Sequence, residues 1–514
     1  MWFLPILSGI LIGTSYIPFP PWASLFCFVP LWIYWERQDN YRRIFWGGWL
    51  TAFVLSLIGF NWIAFTLHEF AHLPWPLALI GMGLYAALSQ LYIPIVGVLW
   101  FSLQKRLSLD SSRAIGLLAI LTALGERNAP TLFDWNFGYS WYGAALPLYQ
   151  IAEWIGFSGL SACTILMNIP CYLAWKHRTE ACGLAFLGAA AALFAAMNAG
   201  GFWLESRLPS PDSSLNVLLV QGNIGNEEKS AAELGRAFRD SIIENYFSLS
   251  RKGLEAENSK VDLMVWPEAA FPDFIDPVYG SVEHYGALRQ FVAREQIPLL
   301  TGGYGVDRQR RKITNSLFAF DHRGRLMQPF YSKTILLAFG EYIPGMDWFP
   351  IIARWLPEIG EYARGPGPTV LLRLNGYRIG PQICYESLFS EFSRGLADLG
   401  AQMIVNVTND SWYGSWQEPY QHLYMTFARA VEYRRPVIRA TNTGFSSVAL
   451  ASGQILQPSP LYQEWTGRYR VPYQKQPEAT IYQRCYWLVP GLMALSLGFL
   501  IIPAVRAGVV KSEG

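Results

Sequence analysis

The sequence is short of charge. Asp, Glu, Lys and Arg make up 15% of its 514 residues, while hydrophobic residues make up 52%. A chain this long cannot cover its whole length with water-facing surface on so few charges, so much of it belongs in a bilayer. The net charge is +2 and no basic block occurs, which excludes a nucleic-acid partner held by charge. Cysteine is scarce as well: Cys27, Cys163, Cys171, Cys182, Cys384 and Cys485, five of them in or beside hydrophobic runs. Cys384 therefore has nothing to pair with in the polar part of the chain, and a disulfide framework is excluded there. No Cys/His cluster has the spacing of zinc ligands, no nucleotide motif is present, and no repeat or low-complexity stretch appears. Neither a metal nor a cofactor is expected.

What the sequence has in quantity is apolar runs. Over residues 1–205 they fall at about Trp2 to Ile17, Trp22 to Trp35, Ile44 to Phe65, Trp75 to Leu103, Ala114 to Gly125, Ile151 to Trp175 and Cys182 to Trp203. Two of these, Trp22 to Trp35 and Ala114 to Gly125, are shorter than the ~20 residues a span needs. The first run lacks a basic leader and passes straight into further runs, so it reads as a span and not a cleavable signal. Arg37, Arg42 and Arg43 follow the second run, Lys105, Arg106 and Arg113 the fourth, and Lys176 and Arg178 the sixth. By the positive-inside rule these joints are cytoplasmic. Seven spans then carry the chain out, an eighth over 484–505 brings it back, and 506–514 form a cytoplasmic tail. Polar residues near the outer ends (His68, Glu69, Glu126, Arg127 and Glu153) read as interfacial anchors.

Residues 215–474 have a different rhythm. Short β-rich runs occur at Asn216 to Gln221, Val261 to Trp266, Pro298 to Leu300, Ser316 to Phe320, Thr369 to Leu374, Arg378 to Ile383, Met403 to Val407, Pro436 to Ala440 and Ser446 to Leu450. Helical patterns at Ser230 to Arg251 and Val282 to Glu295 lie among them, which indicates an α/β layered domain. Leu374 to Ile383 reads as a ribbon turning at Asn375-Gly376, and Leu388, Phe389, Phe392, Leu396 and Leu399 then recur at helical spacing. Cys384 is thus expected near a helix N-terminus, where unpaired N–H groups favour a thiolate. A small buried hydrophobe is the competing reading of a lone cysteine.

Three motifs sit at strand ends: Val265-Trp266-Pro267-Glu268, Tyr331-Ser332-Lys333 with Phe339-Gly340-Glu341-Tyr342, and Cys384-Tyr385-Glu386. A thiol, a carboxylate to take its proton and a cation for the developing oxyanion suffice for acyl transfer. Each has a plainer alternative. Glu268 also fits a helix N-terminal acid, and Lys333 a solvated surface lysine.

Together these motifs resemble the Glu-Lys-Cys signature of the nitrilase, or carbon–nitrogen hydrolase, superfamily. Asn406-Val-Thr-Asn409-Asp410-Ser-Trp412-Tyr-Gly414, Gln421-His422, Arg439-Ala-Thr-Asn442-Thr-Gly444 and Val220-Gln-Gly-Asn223-Ile resemble its membrane-embedded apolipoprotein N-acyltransferase branch. The chain departs from that pattern after the lysine. The branch commonly has His-Leu-Val-Pro-Phe-Gly-Glu, whereas Ile335-Leu-Leu-Ala-Phe339-Gly-Glu341 stands here.

The resemblance implies a polytopic α-helical membrane domain plus a nitrilase-like αββα sandwich outside the cytoplasm. It implies Cys384 as nucleophile, Glu268 as general base and Lys333 as oxyanion stabiliser, with Glu341, Tyr385 and Glu386 in support. Trp266, Asn409, Trp412, Trp348 and Trp355 are expected at the substrate, the last two on an aromatic arm over Tyr342 to Tyr362; a buried core segment is the other reading of that arm. His422 is expected as a packed or hydrogen-bonded residue, with a second base as the other reading. The implied reaction moves an acyl chain from phosphatidylethanolamine, through a thioester, to the α-amino group of a diacylglyceryl-cysteine on an apolipoprotein, the final step of bacterial lipoprotein maturation. The implied setting is the bacterial inner membrane, with the catalytic domain periplasmic and the protein monomeric. The rival reading is a membrane-anchored amidase that hydrolyses a small C–N substrate; a second is a polytopic transporter or scaffold whose outer domain only binds a partner.

Overall fold

A computed structural model describes every residue except 257–259, 277, 338–340, 343–361 and 513–514; for 230, 231, 233, 234 and 503–512 it describes the backbone alone. The chain divides into two compact units, Met1–Leu208 with Thr480–Gly514, and Pro209–Ala479.

The first unit is helical throughout. Three apolar stretches among the described residues are long enough to cross a membrane: Trp75–Leu107, Pro147–Lys176 and Ala181–Glu205. A fourth is added if Tyr41–Gly59 and Trp62–Glu69, bent by 63°, count as one. Phe3–Gly13 and Leu488–Ile502 are apolar but shorter. Only 6% of the most apolar window of Ala181–Glu205 is buried within the protein, so this helix needs an apolar surrounding of its own. Helices Phe3–Gly13 and Tyr41–Gly59 meet through Gly9 and Gly13, where an added Cβ would lie 2.7 Å from Val54 and from Ile58. Small residues four apart let two backbones approach where no hydrophobic effect drives them together. Side-chain caps start two helices where the chain turns back, Asn40 accepting from Arg43 N and Asp110 from Arg113 N.

The second unit is built on two sheets. The first contains β1 (Ser213–Gln221), β2 (Leu263–Val265), β3 (Leu299–Asp307), β4 (Lys312–Phe320), β5 (Tyr331–Ser332) and, at its edge, the last strand Trp465–Tyr473. The second contains β6 (Leu372–Leu374), β7 (Tyr377–Ile383), β8 (Met403–Thr408), β9 (Val437–Thr441) and β10 (Ser447–Ala449); Trp465–Tyr473 is β11. The spatial orders are β11-β1-β2-β3-β4-β5 and β10-β9-β8-β7-β6. Strands β1, β2 and β3 run parallel, as do β7, β8 and β9, so each set delivers its C-terminal ends to one edge.

Alternation along the strands creates two cores. Leu215, Val217, Leu219, Leu263, Val265, Leu317 and Ala319 join Ile379, Ile383, Met403, Val405 and Val407 in the core between the sheets. Their neighbours Leu218, Val220, Met264, Trp266, Phe318 and Phe320 form an outer core with helices Arg236–Glu255 and Val282–Glu295. Helices Ser390–Asp398 and Glu418–Tyr433 accompany the second sheet, completing an α/β sandwich.

Several expectations are corrected here. The helical run from Ser230 is two helices, Asn226–Leu234 and Arg236–Glu255, broken where Gly235 adopts extended backbone. Strand β5 is the short strand end expected at Tyr331-Ser332-Lys333, although no β-rich run marks it, and β11 has no counterpart among the expected strands. The expected helix after Cys384 is a single tight turn, Cys384–Leu388, followed by a separate helix, Ser390–Asp398. The ribbon turn lies where expected, with Asn375 and Gly376 at φ 49° and 88°.

Candidate active site

Glu268 follows β2, Lys333 follows β5 and Cys384 follows β7, and the fold brings these three strand ends together. The Lys333 ammonium donates to Glu268 Oε1 at 3.0 Å and to Glu341 Oε1 at 3.0 Å. Lys333 is 2% exposed, so both carboxylates act on it with little screening from water. Burial works against the charged amine, yet Glu268 and Glu341 outweigh it and raise Lys333 well above the usual lysine range.

A further residue completes this arrangement. Asn315, in the middle of β4, donates from Nδ2 to Glu268 Oε1 at 2.7 Å and to Glu341 Oε1 at 2.9 Å. Its backbone carbonyl also accepts from Lys333 N at 2.8 Å, which fixes the strand end that carries the lysine. Sequence reasoning missed Asn315. The signal was present in Thr314-Asn315-Ser316, three polar residues inside an otherwise apolar strand.

Cys384 is buried and sits at φ 52°, in the left-handed region. Its carbonyl accepts from Ser387 Oγ at 3.0 Å and from Asn406 Nδ2 at 3.2 Å, which hold the turn in place. The expected helix-dipole lowering of the thiol does not occur. Burial and the nearby Glu268 carboxylate push the Cys384 thiol up, and Lys333 only partly offsets them. The site therefore holds a thiol whose proton must leave with the help of a base during attack.

Glu386 ties the lysine and cysteine segments together. Its Oε1 accepts from Tyr331 Oη at 2.5 Å, Thr334 N at 2.6 Å and Ile335 N at 3.1 Å, and its Oε2 from Ile383 N at 2.8 Å. Burial pushes this carboxyl up to about 7, with the Tyr331 hydroxyl and the backbone donors acting the other way. Glu341 Oε2 likewise accepts from Leu337 N at 2.9 Å.

On the opposite strand ends, Asn409 N donates to Glu268 Oε2 at 3.0 Å and Asn409 Oδ1 accepts from Asn442 Nδ2 at 2.9 Å. Asp410 is fully buried between Arg439, at 2.7 Å, and His422, at 3.0 Å. Although burial raises its carboxyl, Arg439 and His422 hold it at about 2. Arg439 continues to Asn406 Oδ1 at 2.9 Å, so the charge cluster reaches the carbonyl of Cys384 through one side chain.

The remaining expected residues are dispersed. Tyr385 is half-buried, its ring edge-on to Phe389 at 5.0 Å. Trp412 is half-buried on the loop before helix Glu418–Tyr433. Trp266 is not at the site. It is fully buried in the outer core against Tyr246, Phe247 and Phe291, with Nε1 donating to Ser250, because it continues the outward alternation of Met264. Trp348 and Trp355 lie outside the described residues.

Two family models match the chain: the carbon–nitrogen hydrolase model over residues 219–467, and the apolipoprotein N-acyltransferase N-terminal domain model over 8–170. The chain is 42% identical to an apolipoprotein N-acyltransferase of Bdellovibrio bacteriovorus, across 93% of this chain and 89% of that one. It is 30% identical to one of Geobacter metallireducens, across 90% and 87% respectively. Among solved structures, a carbon–nitrogen hydrolase from Helicobacter pylori aligns with 50% of this chain and 89% of its own, at 16% identity and a TM-score of 0.38. With both family models matched, and relatives aligned nearly end to end, the chain belongs to the apolipoprotein N-acyltransferase family.

Proposed function

We propose that Cys384, Glu268 and Lys333 form the catalytic centre of an acyltransferase that acylates the α-amino group of the diacylglyceryl-cysteine at an apolipoprotein N-terminus. The observation that carries this reading is the shared buried contact of Glu268 with Lys333 and Asn315, brought by the fold to the strand end next to Cys384. In the first half-reaction the Cys384 sulfur attacks the sn-1 ester carbonyl of a membrane phospholipid, for which phosphatidylethanolamine is the proposed donor. Glu268 takes the thiol proton, Lys333 balances the negative oxygen, the C–O bond breaks, and the lysophospholipid oxygen receives the proton from Glu268. In the second, the free amine attacks the thioester, C–S breaks as C–N forms, and the amine's proton returns to sulfur by way of Glu268. Glu341 and Asn315 hold the Lys333–Glu268 pair, and Asn409 N keeps the second oxygen of Glu268 occupied.

Both substrates are lipids, and the apolar helices of the first unit suit a protein that works at a membrane. We further propose eight spans, with even-numbered joints cytoplasmic and the α/β unit periplasmic in the inner membrane, and a monomer as the working form.

The test is intact mass of the purified protein after incubation with phosphatidylethanolamine, wild type beside Cys384→Ala. A hydroxylamine-sensitive acyl adduct on wild type alone, discharged by a diacylated lipopeptide with gain of one amide-linked chain, is the expected result. Discharge to free fatty acid at the same rate with and without lipopeptide would instead favour hydrolysis, the amidase-like alternative.

A further inference from the structure

Lysines normally bury the hydrocarbon stem and keep the ammonium in water. Lys229, on helix Asn226–Leu234, does the reverse. The residue as a whole is partly exposed, but its Nζ is buried and has no hydrogen-bond partner among the described residues. Its helix is docked beside the active site through Asn226, which accepts from Ser411 Oγ at 2.5 Å, two residues from the Asn409 amide that holds Glu268. Among the described residues Glu268 is the charge that acts on Lys229 appreciably, and it does so from beyond contact. That carboxylate is already occupied by Lys333, Asn315 and Asn409 N.

A buried ammonium without a partner is costly, so its place has to be explained by something that arrives. The charges at the site say what sign that is. Two carboxylates, Glu268 and Glu341, share one ammonium, Lys333, which leaves the group with one surplus negative charge. The phosphodiester of a donor approaching Cys384 would be repelled by that surplus unless a second cation lay nearby. Burial pushes Lys229 down to about 8, and an anion seated against it would restore its charged form.

We infer that Lys229 is the seat for the phosphate of the acyl donor: the ammonium binds the phosphodiester of the phospholipid headgroup while its sn-1 ester lies at Cys384. This rests on the function proposed above and adds to it the residue that selects a phosphate-bearing donor. Lysine suits the task as a compact point charge that meets phosphate without a fixed geometry.

The experiment compares two donors by the rate of acyl-adduct formation on Cys384, followed by intact mass. One is phosphatidylethanolamine; the other is p-nitrophenyl palmitate, an acyl ester with no phosphate. Both need the same thiol, base and oxyanion cation, so their rate ratio cancels any general damage to the site or the fold. For Lys229→Ala the phospholipid-to-nitrophenyl rate ratio is expected to fall about tenfold or more relative to wild type, and for Lys229→Arg to recover most of that. An unchanged ratio in Lys229→Ala overturns the inference and leaves the proposed function standing. A wild type that loads from the nitrophenyl ester but never from the phospholipid sinks both. Inorganic phosphate is added as a competitor. If it slows wild type but not Lys229→Ala, while their phospholipid rates stay equal, the site takes free anions and the headgroup assignment fails.

Discussion

The backbone N–H of Thr334 donates to the Glu386 carboxylate at 2.6 Å, and this bond joins the strand end that carries Lys333 to the turn that carries Cys384. Glu386 is fully buried and accepts four donors, three of them backbone amides. In Glu386→Gln one oxygen becomes an NH2 group that faces a donor. The expected cost is about 1–3 kcal/mol of stability for the amide left unpaired. Acyl loading should slow by roughly ten- to a hundredfold, as the lysine and cysteine lose their common anchor. Thermal midpoints in detergent and adduct kinetics measure the two effects separately, and a variant with wild-type values for both would contradict this role.

Thiol reactivity should rise steadily with pH. Burial and Glu268 hold the Cys384 thiol above the ordinary cysteine range, so the thiolate fraction is small at neutral pH. Alkylation of Cys384 by iodoacetamide, read by mass, is expected to accelerate about tenfold per pH unit from 7 to 9 with no plateau. A plateau near pH 7 would mean a preformed thiolate.

Acid sensitivity should trace to Asp410. Its folded-state value of about 2 lies below the ~3.9 of an unfolded aspartate, so folding keeps it ionised. The stabilisation is fully present above about pH 4 and is lost as pH falls through about 2, a window worth roughly 2–3 kcal/mol. Asp410→Asn should lower the thermal midpoint at pH 6, since Arg439 is left buried without its counter-charge. The same variant should also lose less than wild type between pH 6 and pH 3.

Gly302 faces the turn that presents Glu268. A Cβ there would lie 2.5 Å from Pro267 O and 2.7 Å from Glu268 Cα, with backbone atoms that have no room to move. Gly302→Ala is expected to displace Glu268 and reduce acyl loading by at least about a hundredfold. Alkylation of Cys384 by a small reagent should persist, since the thiol itself is untouched.

The proposed orientation can be read from Cys182, which is exposed at the joint after Lys176 and Arg178. In a variant that keeps Cys182 as its sole cysteine, a membrane-impermeant maleimide should label intact spheroplasts poorly and permeabilised ones fully. Equal labelling in both would reverse the assigned direction.

The strand ends that carry Glu268 and Cys384 were legible because each followed an apolar run that stopped at a motif, whereas Lys333, after the two-residue β5, rested on its motif and the resemblance. Asn315 was only half legible: the polar run Thr314-Asn315-Ser316 marks it within its strand, but a sequence gives no hint of which carboxylates will lie across the sheet. Strand β11 was missed for a related reason. Arg468, Gly467 and Thr466 break the apolar alternation along an edge strand that pairs, among the described residues, with β1 alone. The place of Trp266, by contrast, follows from the strand period and not from its neighbour Glu268. Val265 faces the inner core, so residues 264 and 266 must face outward. The direction of the thiol's shift was not legible, because a sequence shows a helix start but not the depth at which it is buried.

The left-handed backbone at Cys384, φ 52°, sets chemistry against folding at one position. A glycine would adopt that geometry without strain, at no cost in side-chain clash. The fold on its own would thus prefer a residue with no reactive atom in the place where the nucleophile stands. A Cys384→Gly protein should melt close to wild type, relief of the left-handed backbone offsetting the lost burial of the side chain, and transfer nothing. A sequence drifting under selection for folding alone would lose its nucleophile here without any visible injury, becoming an inert shell of the same shape.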